Sequence, residues 1–259
     1  MPLKNIHNYF KTNNLHPILL FYPEVLSNII VQKIIEFFIR LVYPEICHQC
    51  RKTLPLELKC LCSSCHKQFK SEIYDFFDCE IPHKSVHIRN IWSLAPYQKM
   101  TKKILKSFKF DKQFHLIRLF ESMIVDFYSA IQPEIKHDLI IFIPSGITHK
   151  IDRFYCIAEE FAKILCSRFK IKSGNLFVHK KFAVPSQSHL DQEERLANLY
   201  GAFKISHSSQ IKGKNILVVD DIYTTGATVQ EMARVLKNSG AETIDCLTLA
   251  RTLKSNTRK

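Results

Sequence analysis

The stretch Asn215-Ile-Leu-Val-Val-Asp-Asp-Ile-Tyr-Thr-Thr-Gly-Ala-Thr-Val-Gln-Glu231 decides the fold. Ile216 to Val219 is a continuous, β-branched apolar run, the pattern of a strand buried on both faces in a parallel sheet. Asp220 and Asp221 follow at once, at the strand's expected end. Adjacent carboxylates repel and neither belongs in a core, so structure alone gives no reason for the pair. Thr224-Thr225-Gly226-Ala227-Thr228 then opens a helix-like run from Val229 to Asn238. Small hydroxyl residues and a glycine at a helix start present backbone N–H groups, and the helix dipole adds positive potential there. That end suits a phosphate, and the two acids suit sugar hydroxyls or a divalent cation. A sugar phosphate satisfies all three pieces. The alternative is an ordinary strand–turn–helix with hydroxyl N-caps.

The other apolar runs repeat this theme. Ile91 to Tyr97, Asp138 to Ile143, Asn175 to His179 and Glu242 to Leu249 read as strands, with helices over His115–Ile131 and from Arg153 through Lys170. The loop Pro144-Ser145-Gly146 ends the second strand where parallel sheets bind ligands. The stretch 180–203 has a polar start and a short helix over Asp191–Asn198. All six glycines fall after residue 140 at element ends, as in an alternating β/α domain. The expected class is α/β, a Rossmann-like parallel sheet flanked by helices.

The N-terminal half carries different chemistry. Cys47-His-Gln-Cys50 and Cys62-Ser-Ser-Cys65 are two Cys-x-x-Cys knuckles, whose spacing brings four thiolates into a tetrahedron. Cys47, Cys50, Cys62 and Cys65 are the expected ligands of a structural zinc, with no position left for a substrate. Cys60 is one ligand too many, and Cys79, Cys156, Cys166 and Cys246 read as isolated core residues. In Lys99 to Phe110, Met100, Ile104, Leu105 and Phe108 share one helical face and the lysines another. Those lysines suit a solvated ridge, with Lys106 and Lys109 as candidates for anion contact.

Across 259 residues, 37 Lys and Arg against 24 acids give a formal charge of +13, which favours polyanions such as nucleic acid. The same surplus is also compatible with a merely basic surface, since the charges are spread. The greasy run from Ile18 to Val42 is broken by Glu24, Gln32, Lys33, Glu36 and Arg40, so Glu24–Val42 reads as an amphipathic helix, not a membrane span. The start of the chain lacks the pattern of a secretory signal, and the expected location is the cytoplasm, with reduced cysteines. Four segments are expected: an extension over 1–43, a zinc module over 44–72, a linker over 73–90 and an α/β domain over 91–254.

Asn215 to Thr228 resembles the phosphoribosyl pyrophosphate (PRPP) signature of type I phosphoribosyltransferases. From Leu41 to Arg251 the chain is similar to the ComF family of phosphoribosyltransferase-like competence proteins. The resemblance rests on Leu41-Val-Tyr-Pro before Cys47 and Cys50, on Tyr97 through Lys109-Phe110, on Arg153 to Ala162, and on Gln187, Arg195, Asn198 and Gly201-Ala-Phe203. Phe154, Cys156 and Lys180-Lys181 depart from the glycine, asparagine and arginine of the family pattern, on the presumed pyrophosphate side. The resemblance implies that Asp220 and Asp221 hold the ribose hydroxyls and are the catalytic pair. Thr224, Thr225, Gly226, Ala227 and Thr228 would hold the 5′-phosphate, with Arg195, Arg153 or Lys106 on the leaving group and magnesium accompanying PRPP. It further implies handling of incoming single-stranded DNA in natural transformation, beside a helicase-like protein and a recombination mediator. The alternative is an active phosphoribosyltransferase passing the phosphoribosyl group to an acceptor with release of pyrophosphate. Tyr223 and the C-terminal region are the candidates for stacking such an acceptor.

Overall fold

The computed structural model describes residues 37–39, 43–55, 58–74, 85–111, 113–144, 156–180 and 200–253. Most of the amphipathic segment Glu24–Val42 and the short helix at Asp191–Asn198 lie outside the described residues; Phe37–Ile39 is helical. The chain forms two compact units, Met1–Ser71 and Glu72–Lys259.

In the first unit, an antiparallel bridge joins Ile46 to Thr53 and closes the first cysteine knuckle. The second knuckle leads into helix α1, Ser63–Tyr74. Leu54, Leu61 and Phe69 are buried.

The second unit is built on a five-stranded, all-parallel sheet of order β1-β7-β6-β2-β3. Its strands are β1 (Asn90–Pro96), β2 (Leu139–Phe142), β3 (Lys172–Ser173), β6 (Asn215–Tyr223) and β7 (Thr243–Arg251). Its longer helices among the described residues are α2 (Lys99–Phe110), α3 (Arg118–Ile131), α4 (Ile157–Phe169) and α5 (Ala227–Asn238). The apolar run does what its composition dictates: Ile216, Leu217, Val218 and Val219 are at most 1% exposed. Burying each such side chain is worth about 1.5–3 kcal/mol. Ile216 and Val218 pack with Val229, Met232, Ala233 and Leu236 of α5. The opposite face meets α4, which in turn packs on α3 through an edge-on Phe120–Phe161 pair.

Two expectations are corrected here. The strand does not stop before the acids but runs to Tyr223, because pairing with β7 continues through Asp220–Thr248, Ile222–Ala250 and Tyr223–Arg251. The strand expected at Asn175–His179 is instead a 3-10 turn, Asn175–Phe177, followed by β4 (Val178–Lys180). That strand pairs antiparallel with β5 (Phe203–Ile205) in a separate two-stranded sheet. Gly174 makes the bend possible: a Cβ there would come within 2.8 Å of Ile141, and Asn175 caps the end of β2 through Phe142 N–H and C=O. The main sheet therefore ends at the two-residue β3.

The chain leaves β2 toward β3 on one side and leaves β6 toward β7 on the other. The strand order reverses between β2 and β6, and open α/β sheets bind ligands outside the carboxyl ends at such a reversal.

Candidate functional site

The carboxyl end of β6 places the acid pair and its loop at that reversal. Asp220 and Asp221 are both half-buried, and the Asp220 carboxylate accepts the Asp221 N–H at 2.8 Å. Lys109, in the last turn of α2, forms an ion pair with Asp221. Lys106 is exposed on the same helix, so the lysine that α2 brings to the acids is the other of the two candidates. The inward face of α2 is the expected one: Met100, Ile104, Leu105 and Phe108 are all buried.

The turn after β6 depends on one glycine. Gly226 sits at φ +76, and a Cβ there would lie 2.2 Å from the Tyr223 hydroxyl. Only a residue without a side chain lets the backbone close over that ring and start α5 at Ala227. The Thr225 hydroxyl accepts the Ala227 N–H at 3.3 Å, while Thr252 Oγ1 donates to the Thr224 carbonyl at 3.4 Å. The first turn of α5 thus opens beside the two acids, with Thr224 exposed and Thr225 and Thr228 partly so.

Tyr223 is buried beneath Gly226, and burial pushes its phenol above the ordinary range. A ring in that place cannot stack on an acceptor, which corrects its candidacy for that role. Cys246 lies behind the acids, wholly buried; burial first, then Asp220 and Asp245, hold its thiol well above the usual range. It is a core residue, as its isolation in the sequence suggests. Arg153, Arg195 and most of the loop from Pro144 onward lie outside the described residues.

Two further groups have no local signal in the sequence. Glu231, on the buried side of α5, accepts the Gly201 N–H at 2.7 Å and two hydrogen bonds from Arg234. Arg234 in turn lies 4.4 Å from the centre of the Tyr200 ring. These contacts fix the point where the chain returns from residues 181–199. The second is at the opposite end of the sheet, where Asp245 of β7 is fully buried. It accepts from Arg89, from both the backbone and side chain of Asn90, and from His137 at 2.9 Å; His137 continues to the Tyr128 hydroxyl at 2.9 Å. Burial raises the Asp245 carboxyl, but the hydrogen bonds from His137 and Arg89 outweigh it and hold it below the ordinary range.

In the first unit the sulfurs of Cys47, Cys50, Cys62 and Cys65 all lie within 4.8 Å of one another, a group that could hold a metal ion. Cys60 stays outside it; its carbonyl accepts the His48 N–H at 2.8 Å. The Cys62 N–H points at Cys47 Sγ at 3.3 Å. Burial pushes the Cys47 thiol up, but N–H groups of Cys50, Cys62 and Gln49 bring it down to about 6. Cys65 is pushed up to about 12 by burial and by its three neighbours. Four thiolates crowd unfavourably unless a cation compensates them.

Residues 150–259 match the phosphoribosyl transferase domain family. The chain is 27% identical to competence protein F of Haemophilus influenzae over 223 residues, covering 79% of this chain and 96% of that protein. It is 28% identical to competence protein ComFC of Bacillus subtilis over 212 residues, covering 80% and 84%. It is 22% identical to the DNA utilization protein YhgH of Escherichia coli over 235 residues, covering 82% and 100%. Among solved structures, an adenine phosphoribosyltransferase aligns at 17% identity and a TM-score of 0.37, covering 56% of this chain and 74% of that one. No helix of the described residues is long and apolar enough to cross a membrane.

Proposed function

The chain belongs to the ComF family, with a type I phosphoribosyltransferase fold, and from that premise we propose that it binds PRPP and handles single-stranded DNA entering the cell. The observation that carries the first limb is the acid pair beside the Gly226 turn at the reversal of strand order. Asp220 and Asp221 accept hydrogen bonds from the ribose hydroxyls. The N–H groups and hydroxyls from Thr224 to Thr228 donate to the 5′-phosphate. Lys109 sets a positive charge on the acid side of the site, where a pyrophosphate would otherwise meet carboxylates alone. The half-buried carboxylate oxygens of Asp220 and Asp221, together with ligand oxygens, suit magnesium, which would supply charge neutralisation to the pyrophosphate. Arg153 and Arg195 stay candidates for the leaving group.

The cysteine cluster suits zinc, since four thiolate donors in a closed set match its preference and leave no substrate position. Its role is to hold the first unit together. The DNA limb draws on what the relatives are named for, competence and DNA utilization, and on the net charge of +13. A cytoplasmic location, with helicase-like and recombination-mediator partners, belongs to the same proposal. The burial of Tyr223 favours binding over transfer, because it removes one of the two candidates for an acceptor platform.

The test uses zinc-loaded protein and a fluorescent oligothymidylate, read by anisotropy with and without Mg–PRPP, with pyrophosphate release followed in parallel. Saturable, salt-sensitive strand binding without pyrophosphate release is the expected result. Catalytic pyrophosphate release on adding an acceptor would establish the transferase instead. Absence of strand binding at low salt would remove the DNA limb.

A further inference from the structure

The amino ends of the strands carry a second charged feature, remote from Asp220. A cavity of about 540 Å³ is lined by Lys136, Lys170, Lys172 and Lys214. The lysines come from separate segments. Lys136 precedes β2, Lys170 ends α4 in the left-handed conformation at φ 58, Lys172 starts β3, and Lys214 precedes β6. All four are exposed, and none of their ammonium groups forms an ion pair with a described residue. The lining also holds the exposed Asp138, whose carboxylate accepts the Asn215 N–H at 2.8 Å, so the lysines stay in excess of the acid. Four like charges around one cleft repel, and nothing in the packing of the sheet requires them there.

We propose that this lysine-lined cleft binds the backbone phosphates of a single-stranded nucleic acid, at a site separate from the ribose-phosphate loop. The assignment rests on the DNA limb of the function proposed above. The donors are lysines, compact point charges without the forked geometry that reads one phosphate or base. The lining offers no glycine-rich loop to cradle a terminal phosphate, and Tyr128 on its floor is buried beyond reach of a base. Such a site contacts a strand independently of sequence. A concave cleft fits a strand better than the flat surface of a lipid bilayer. From Lys214 to Asp220 the chain is extended, which at about 3.3 Å per residue separates the two sites by roughly 20 Å. A strand and PRPP can then be bound together.

The experiment compares wild type, Lys136→Gln/Lys172→Gln/Lys214→Gln, and the control Lys102→Gln/Lys103→Gln. Anisotropy measures oligothymidylate affinity across a salt series, and calorimetry measures Mg–PRPP affinity on the same samples. The cleft variant is expected to lose at least tenfold in strand affinity. Its slope of log affinity against log salt should become shallower by about 2, from about 0.7 per phosphate contact over three lysines. PRPP affinity and melting temperature should stay as in wild type, and thymidine monophosphate should compete only weakly. A cleft variant that binds the strand like wild type overturns the site while leaving the DNA reading intact. Greater loss in the control, tight competition by the mononucleotide, or binding only to anionic vesicles also overturns it. Wild type that binds no strand removes the DNA reading itself, and the cleft assignment with it.

Discussion

Replacing Gly226 with alanine tests the turn on which the ribose-phosphate loop depends. Two penalties add. A left-handed conformation at φ +76 costs a non-glycine residue about 1–2 kcal/mol. The new Cβ would then sit 2.2 Å from the Tyr223 hydroxyl, 2.4 Å from Cζ and 2.8 Å from Cε2, well inside contact distance. Tyr223 is 5% exposed and packed in the core, so its ring cannot swing away, and overpacking of this kind costs about 1–3 kcal/mol more. The expected loss is about 2–5 kcal/mol. Gly213 supplies the internal control, since it has nearly the same φ, +69, but nothing within 4 Å of its built Cβ. Gly213→Ala should show the backbone penalty alone, about 1–2 kcal/mol. Urea denaturation at fixed zinc, followed by circular dichroism, gives both values from shifts in the midpoint. If Gly226→Ala costs no more than Gly213→Ala, the Tyr223 ring does not close the turn and the account of the loop is wrong.

Five residues give further expected outcomes. Asp245→Asn leaves Arg89 and buried His137 without their carboxylate, and should destabilise by about 3–5 kcal/mol at pH 7. Because the folded Asp245 carboxyl lies below its ordinary value, its contribution is present above about pH 4 and is lost as pH falls through the lower folded value. The variant's stability should therefore fall less steeply below pH 4 than wild type, and parallel acid limbs in pH-dependent urea melts would refute this. Lys109→Met should weaken Mg–PRPP binding about tenfold, the equivalent of roughly 1.4 kcal/mol, while Lys106→Met stays within about twofold. Equal effects in calorimetry would remove the distinction between them. Cys60→Ser should keep one zinc per chain by elemental analysis and Cys62→Ser should lose it; loss in both would put Cys60 among the ligands.

Local pattern made much of this legible. Ile216–Val219 announced a doubly buried strand because β-branched residues without alternation suit little else, and the acids with Gly226 marked its carboxyl end as the candidate site. Met100, Ile104, Leu105 and Phe108 fixed the inner face of α2 by spacing alone. The cysteine spacing likewise selected the four that cluster and set Cys60 aside. What stayed hidden depends on partners distant in the chain. Asp220 and Asp221 lie within a strand, not past its end, because of pairing with β7 that no local signal reports. Asp245 meets Arg89 across 156 positions of sequence. Lys106 and Lys109 differ by less than one helical turn, and only the docked position of α2 decides which reaches Asp221. Tyr223, a candidate for stacking an acceptor, is buried under the close approach of Gly226, which no local signal reports.

On the proposed function, the end of β6 is a working ribose-phosphate site. Calorimetric titration of PRPP with magnesium into zinc-loaded protein, beside the Asp220→Asn/Asp221→Asn variant, tests it most directly. Wild type should show saturable one-site binding that disappears in the folded variant. No heat from folded, zinc-loaded wild type, or equal binding by the variant, would contradict it.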